Sequence, residues 1–194
     1  MAPAETPSGA PPSTPHVTTV CFTTQDLAQF SAASGDRNPL HLSEEYARAT
    51  PYGEPVVFGM LGVLAALGHL ANRQDRLLQR LSVEFRNPLA VGIPYRMEAL
   101  ETSAERACVK LYDAPRLMLK ATFTFVPGCE KRRDTHVPEA ACFTEAEDRK
   151  KEDLPAGTRV TGVYGPAISE LVQVITRWRL SEKGATTRQL AAML

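Results

Sequence analysis

An unbroken apolar run from Phe58 to Ala71, FGMLGVLAALGHLA, constrains the fold of this chain more than any other feature. Apolar side chains fall on nearly every face of the helix that this run predicts, and such a helix must be buried on all sides. The run is too short and too rich in glycine to span a bilayer. We therefore predict that the helix lies in the middle of the fold, with the rest of the domain around it.

Strand patterns follow the apolar run. Apolar and polar residues alternate from Leu81 to Phe85, in two stretches within 94–114, and strongly from Arg116 to Val126. An earlier strand is predicted from Val17 to Phe22, and Ala114-Pro115 is a predicted hairpin turn. One apolar helix and a run of antiparallel strands indicate an α+β fold in which a sheet wraps around the helix.

Two shorter helices are predicted between the first strand and the apolar run. Thr23 or Thr24 offers an N-cap for the first, with Asp26 in place for a capping box, and Gly35 ends it. Ser43 offers an N-cap for the second.

The composition divides the chain into four parts. Residues 1–16 are rich in proline and small residues and predict a disordered tail, whereas 17–127 contain the patterns of the folded domain. The charged, proline-spotted stretch 128–163 predicts a solvated linker. Residues 164–194 predict a helical segment, and one interpretation makes this segment the start of a second repeat of the domain.

Charge and cysteine usage exclude several classes of function. The chain has 22 basic and 22 acidic residues and no dense basic stripe, which argues against nucleic acid as a partner. Its cysteines lack CxxC spacing, so we expect reduced thiols, no metal site and no cofactor. Since no secretory signal is visible, we expect a cytoplasmic protein with no membrane partner. The cysteines are Cys21, Cys108, Cys129 and Cys142.

The motif SGDRNPLH, residues 34–41, places Asp36 and His41 near the two ends of a short turn-rich loop. A carboxylate and an imidazole aimed into one cleft are the groups that proton-transfer chemistry requires. Alternatively, these residues form an ordinary surface turn with a polar histidine nearby.

Gly59 lies in the first turn of the predicted apolar helix. The free N–H groups at a helix start and the positive end of the dipole suit a carbonyl oxygen that gains negative charge. Alternatively, Gly59 and Gly62 only let the helix pack closely against a sheet.

Three blocks in order, SGDRNPLH, EEYARATPYGEPVVFGML and LSVEFRNPLAVG, resemble the MaoC-like branch of the hotdog fold over residues 17–127. This family comprises (R)-specific enoyl-CoA hydratases and 3-hydroxyacyl-thioester dehydratases. The resemblance implies an antiparallel sheet wrapped around a long central helix, and a homodimer or a pairing with a second hotdog repeat.

The same resemblance assigns roles to individual residues. Asp36 and His41 match the catalytic pair, Asn38 and Pro39 match the residues that shape the loop, and Gly59 matches the glycine whose N–H holds the thioester carbonyl. The implied substrate is a 2-enoyl or (R)-3-hydroxyacyl thioester of CoA or of an acyl-carrier protein. Further candidates for substrate binding are Phe58, Met60, Arg37 and Phe85.

The sequence departs from the family pattern at Phe58, where a histidine is common, and the surroundings of the site become more apolar.

Two other functions stay open. A hotdog thioesterase would place its acid on the central helix, where His69 is the polar candidate. The second alternative is a non-catalytic module for acyl-thioester binding or dimerisation.

Overall fold

The computed structural model describes residues 15–128, 168–185, 189–190 and 193. The predicted tail 1–16, except for its last two residues, and the predicted linker, except for Gly128, lie outside these ranges. In chain order the elements are β1 His16–Cys21, α1 Thr24–Ser34, α2 Pro39–Leu42, α3 Glu44–Arg48, α4 Gly59–His69, β2 Arg76–Phe85, β3 Pro94–Ser103, β4 Arg106–Asp113, β5 Arg116–Pro127 and α5 Ile168–Arg177.

The five strands form one antiparallel sheet in the order β1-β3-β4-β5-β2. Asp113 pairs with Arg116 across the β4–β5 turn, which confirms the predicted hairpin at Ala114-Pro115. Strand β2 begins at Arg76, earlier than the predicted Leu81. A register shift between Leu78 and Arg80 interrupts the alternation there, so the pattern hides the first half of the strand.

Helix α4 lies against the middle of the sheet and contacts β3, β4 and β5. Its residues from Leu61 to Leu67 are all buried, as expected for a helix that is apolar on every face. The predicted arrangement, a sheet around a buried helix, is confirmed. The helix ends at His69, two residues before the predicted end.

Helix α1 begins with the predicted capping box. The Thr23 hydroxyl accepts a hydrogen bond from the Asp26 N–H at 3.1 Å, and the Asp26 carboxylate accepts one from the Thr23 N–H at 2.8 Å. Gly35 ends the helix in the left-handed region at φ 71°. The predicted Ser43 cap of α3 is also present, since its hydroxyl accepts a hydrogen bond from the Tyr46 N–H.

Helix α5 packs against α1, and an ion pair fixes the contact. Arg177 Nε donates to Asp26 Oδ1 at 2.7 Å, and the Asp26 side chain is only 3% exposed. Val174 and the following Leu180 join the same apolar core as α4. The predicted C-terminal helix is thus present, while its interpretation as the start of a second repeat stays a prediction.

Asp26 therefore caps α1 and also forms the ion pair with α5, and both interactions affect its pKa. Burial alone would raise the pKa of this carboxyl. The hydrogen bonds from Arg177 and Thr23 outweigh burial and hold the pKa of Asp26 below its ordinary value. The Asp26 carboxylate therefore stays ionised, and able to pair with Arg177, to a lower pH than an ordinary aspartate.

Two further observations concern membrane-spanning helices and the cysteines. None of the helices in the described ranges combines the length and the apolar character needed to cross a membrane. Cys21 and Cys108 are free thiols, and the other two cysteines lie outside the described residues.

We expect Arg177→Gln to lower the free energy of unfolding at pH 7 by about 1–2 kcal/mol, the value of a charged hydrogen bond reduced for a half-exposed arginine. Because the folded-state pKa of Asp26 is depressed, this contribution is complete above the ordinary value of 3.8 and disappears as the pH falls through the folded-state pKa. Urea unfolding from pH 7 down to about pH 3 measures the difference from wild type.

Arg48→Gln is the matched control, because Arg48 forms an ion pair with Glu44 in which both side chains are well exposed. Its effect should stay within about 0.5 kcal/mol at every pH. An Arg177→Gln effect that is equally small, or that does not change with pH, contradicts the role given to this ion pair.

Candidate active site

The loop after α1 is held by two serine hydroxyls from the end of that helix. Ser31 Oγ donates to the Asp36 carbonyl at 2.7 Å, and Ser34 Oγ accepts from the Asp36 N–H at 3.1 Å. The Asp36 side chain is exposed, and its Oδ1 accepts a hydrogen bond from the Asn38 N–H at 2.9 Å. The backbone that presents this carboxylate is therefore fixed on both sides.

His41 lies on helix α2 rather than in an open turn. Asn38 is the N-cap of α2, and its side-chain oxygen accepts a hydrogen bond from the Leu40 N–H at 3.0 Å. Pro39 occupies the first helical position, where a missing N–H costs nothing. Both residues thus start the turn of helix that positions His41.

Two contacts fix the orientation of the His41 ring. Nδ1 lies 2.6 Å from the Val56 carbonyl oxygen, and since that oxygen can only accept, Nδ1 bears the proton. The ring also packs on Phe58, with 4.0 Å between the centroids. In the neutral imidazole Nε2 is consequently left with a free lone pair, as a general base requires.

Residues 56–58 connect this histidine to the start of α4. The Val56 N–H donates to the Leu40 carbonyl at 3.4 Å, and the Val57 N–H donates to the Leu89 carbonyl at 2.7 Å. The Phe58 ring packs against both His41 and Phe30 with the rings tilted, and Phe58 is the N-cap of α4. Position 58 therefore contributes apolar packing at the site.

Gly59 is the first residue of α4, and the Phe58 side chain makes no capping hydrogen bond. The first N–H groups of a helix have no partner within the helix, so this end remains available to an acceptor. The Phe85 ring lies close over Gly59. A Cβ atom placed on the glycine would be only 2.8 Å from Phe85 Cε1. Only glycine leaves room for this approach.

A cleft of about 330 Å³, open to solvent, reaches the start of α4. Its lining is mostly apolar, and Phe85 is 56% exposed beside it. The lining residues are Tyr52, Val57, Gly59, Phe85, Arg86, Asn87, Pro88, Leu89 and Leu119.

The structure brings some of the predicted site residues together and leaves others apart. His41 and Phe58 are in contact, and Gly59 and Phe85 line the cleft, whose lining includes neither His41 nor Asp36. Asp36 and Arg37 are exposed on the loop, and Met60 is half-buried against the core.

Among the residues that sequence reasoning did not assign to the site are Val56, Leu89 and Leu119. Val56 and Leu89 lie within the quoted blocks but are ordinary aliphatic residues that nothing in those blocks singles out, and Leu119 lies outside the blocks. The bridge between Val56 and Ala90 that brings these segments together is itself a long-range contact.

His69, at the other end of α4, has a different environment. Its Nε2 lies 3.0 Å from His16 Nδ1. Burial lowers the pKa of His69, and the nearby His16 and Lys183 lower it further. The helix rise places it about 15 Å from Gly59. Among the described residues, no three His, Cys, Asp or Glu side chains are arranged to hold a metal ion.

The model of the MaoC-like domain family matches residues 3–112, more than half of the chain. The chain therefore belongs to the MaoC-like domain family. A relative from Methylorubrum extorquens, 3-hydroxybutyryl-CoA dehydratase, is 31% identical in a 95-residue alignment that covers 46% of this chain and 60% of that protein. Peroxisomal multifunctional enzyme type 2 of Drosophila melanogaster is 29% identical over 46% of this chain and 16% of its own length.

Solved structures share the fold of this MaoC-like domain. The (R)-hydratase from A. caviae involved in PHA biosynthesis matches with a TM-score of 0.53 at 22% identity, over 62% of this chain and 99% of the other. Protein af1124 from Archaeoglobus fulgidus matches with a TM-score of 0.52 at 22% identity, over 66% and 86% respectively. The expected hotdog fold is confirmed.

We expect Asn38→Ala to loosen helix α2, because the variant lacks the side-chain oxygen that caps it. A lost cap of about 1 kcal/mol corresponds to roughly fivefold faster local opening. Hydrogen exchange of the amides in residues 38–43 measures this opening without reference to any activity. Asn38→Ser keeps a capping oxygen and should exchange at the wild-type rate. Equal exchange in the alanine variant and wild type would show that the cap does not hold α2.

Proposed function

We propose that this MaoC-like domain is a hydro-lyase that reversibly hydrates 2-enoyl thioesters and dehydrates (R)-3-hydroxyacyl thioesters. The observation that carries the proposal is the fixed His41 ring next to the uncapped start of α4. The relative from Methylorubrum extorquens, a 3-hydroxybutyryl-CoA dehydratase, supports a CoA thioester as substrate. An acyl-carrier-protein thioester presents the same reacting group.

The chemistry explains why a helix start is needed. Adding water across a 2-enoyl thioester, or removing it from a 3-hydroxyacyl thioester, passes through a species with negative charge on the thioester oxygen. A fixed backbone donor stabilises that charge more than it stabilises the substrate, by about 3 kcal/mol in comparable oxyanion holes. We assign this donor to the Gly59 N–H.

Proton transfer falls to His41 and Asp36. In the hydration direction one of the two takes a proton from water as its oxygen adds to C3, and the other delivers a proton to C2. The lone pair on His41 Nε2 suits this transfer, provided that the imidazole lies within about 3 Å of the reacting proton. Asp36 completes the pair from the loop that Ser31 and Ser34 hold.

We further propose that a second hotdog unit, from another copy or from a second repeat, closes the cleft. Phe85 lies on the outer strand β2, and Tyr52 and Phe85 line the cleft with half or more of their surface exposed. Apolar surface of this kind beside a site is typical of an interface.

A thioesterase is the less favoured reading of the same fold. Its acid would have to lie on α4, where His69 is the polar candidate. The end-to-end separation of about 15 Å from Gly59 puts His69 beyond the reach of a carbonyl held at the helix start. Release of free CoA with the enoyl absorbance unchanged would nevertheless identify this activity.

We expect Asp36→Asn and His41→Ala each to lower kcat/KM for crotonyl-CoA hydration by about 10²–10⁴-fold, the usual contribution of a general acid or base. Loss of the enoyl-thioester absorbance measures the rate. Asp113→Asn, at the exposed β4–β5 turn, and His69→Ala remove the same chemical groups elsewhere and should retain the wild-type rate. Wild-type rates in both Asp36→Asn and His41→Ala would refute the assignment.

A further inference from the structure

The cleft beside Gly59 has a closed floor. Leu89 and Leu119 line the cleft but are themselves buried, at 4% and 1% exposure. A Cβ atom placed on Gly62 would lie 3.0 Å from Leu89 Cδ1 and 3.2 Å from Leu119 Cδ1. The two leucine tips therefore rest directly on the backbone of α4 and leave no passage between the helix and the sheet at this point.

The floor lies close to the candidate carbonyl site. Gly62 follows Gly59 by three residues, so the helix rise separates them by about 4.5 Å along the axis. An acyl chain that extends from a carbonyl at Gly59 towards this floor meets the leucines after a few carbons. Further carbons can only turn back into solvent, where they gain nothing from burial.

Both leucines are held firmly in place. The Leu89 carbonyl accepts a hydrogen bond from the Val57 N–H, and Leu119 pairs with Leu111 and Phe85 within the sheet. Next to them, Asn87 Nδ2 donates to the Leu117 carbonyl at 2.7 Å. The floor is thus built on backbone that is hydrogen-bonded on both sides, and a longer chain cannot easily displace it.

We infer that Leu89 and Leu119, resting on Gly62, set the acyl-chain length and restrict this domain to short-chain enoyl and 3-hydroxyacyl thioesters of about four carbons. The inference rests on the proposed hydro-lyase function. It adds the substrate class and assigns the specificity to two side chains that do not touch the reacting atoms.

The test compares kcat/KM for crotonyl-CoA and trans-2-hexenoyl-CoA in the full chain. If both additional methylenes of the hexenoyl chain were buried, kcat/KM would rise about fifteenfold, at roughly fourfold for each methylene. In wild type the floor prevents this burial, so kcat/KM should be higher for crotonyl-CoA than for trans-2-hexenoyl-CoA. Leu119→Ala and Leu89→Ala open the floor and should each raise the hexenoyl-to-crotonyl ratio about tenfold.

Gly62→Ala should leave the hexenoyl-to-crotonyl ratio no higher than in wild type. Its Cβ displaces the leucine tips by only a few tenths of an ångström and opens no room for further carbons. Alanine is also the better helix former, which keeps this variant informative if a leucine variant fails to fold. Leu78→Ala removes a buried leucine at the far end of β2 and controls for general loosening of the core, with an unchanged ratio expected.

The outcomes separate the two proposals. If wild type turns over neither substrate, the hydro-lyase function fails and the chain-length assignment falls with it. If wild type prefers hexenoyl-CoA, or if the floor variants shift the ratio no more than Leu78→Ala does, only the chain-length assignment is overturned. A raised ratio in the leucine variants, with no rise in Gly62→Ala, supports it.

Discussion

The burial of α4 on every face is the constraint on which the rest of the structure depends. A helix with seven consecutive buried residues leaves no side for polar chemistry, so such chemistry can reach only its two ends. At the C-terminal end His69 already contacts His16. At the N-terminal end Phe58 supplies no cap, and the first N–H groups remain available beside an open cleft. The position of the candidate site thus follows from how the core is packed.

The backbone N–H and carbonyl of Val56 connect helix α2 to the segment that leads into α4. Its N–H donates to Leu40, and its carbonyl accepts the proton of His41 Nδ1, so both of its hydrogen-bonding groups face α2. The neighbouring Val57 N–H donates to Leu89 at the cleft floor. The histidine, the helix start and the floor are therefore connected through three consecutive residues.

Local signals in the sequence were sufficient for much of the fold. The capping box at Thr23 and Asp26, the Gly35 stop and the alternation in β5 each depend on neighbours along the chain, and each is confirmed. Long-range contacts have no such signal, which is why the partner of His41 and the floor at Leu119 were not foreseen. The start of β2 lies earlier than the alternation predicts, because a bulge interrupts the pattern in its first half. The catalytic role of Asp36 stays a prediction, since its side chain is exposed on the loop.

The ion pair between Asp26 and Arg177 joins residues 151 positions apart, which has a consequence for synthesis on the ribosome. At 5–20 residues per second, Arg177 emerges about 8–30 s after Asp26. During this interval Asp26 and Thr23 are both present and can form the capping box, while Asp26 has no arginine partner from α5. Helix α4 and all five strands are therefore synthesised before the ion pair between α1 and α5 can form.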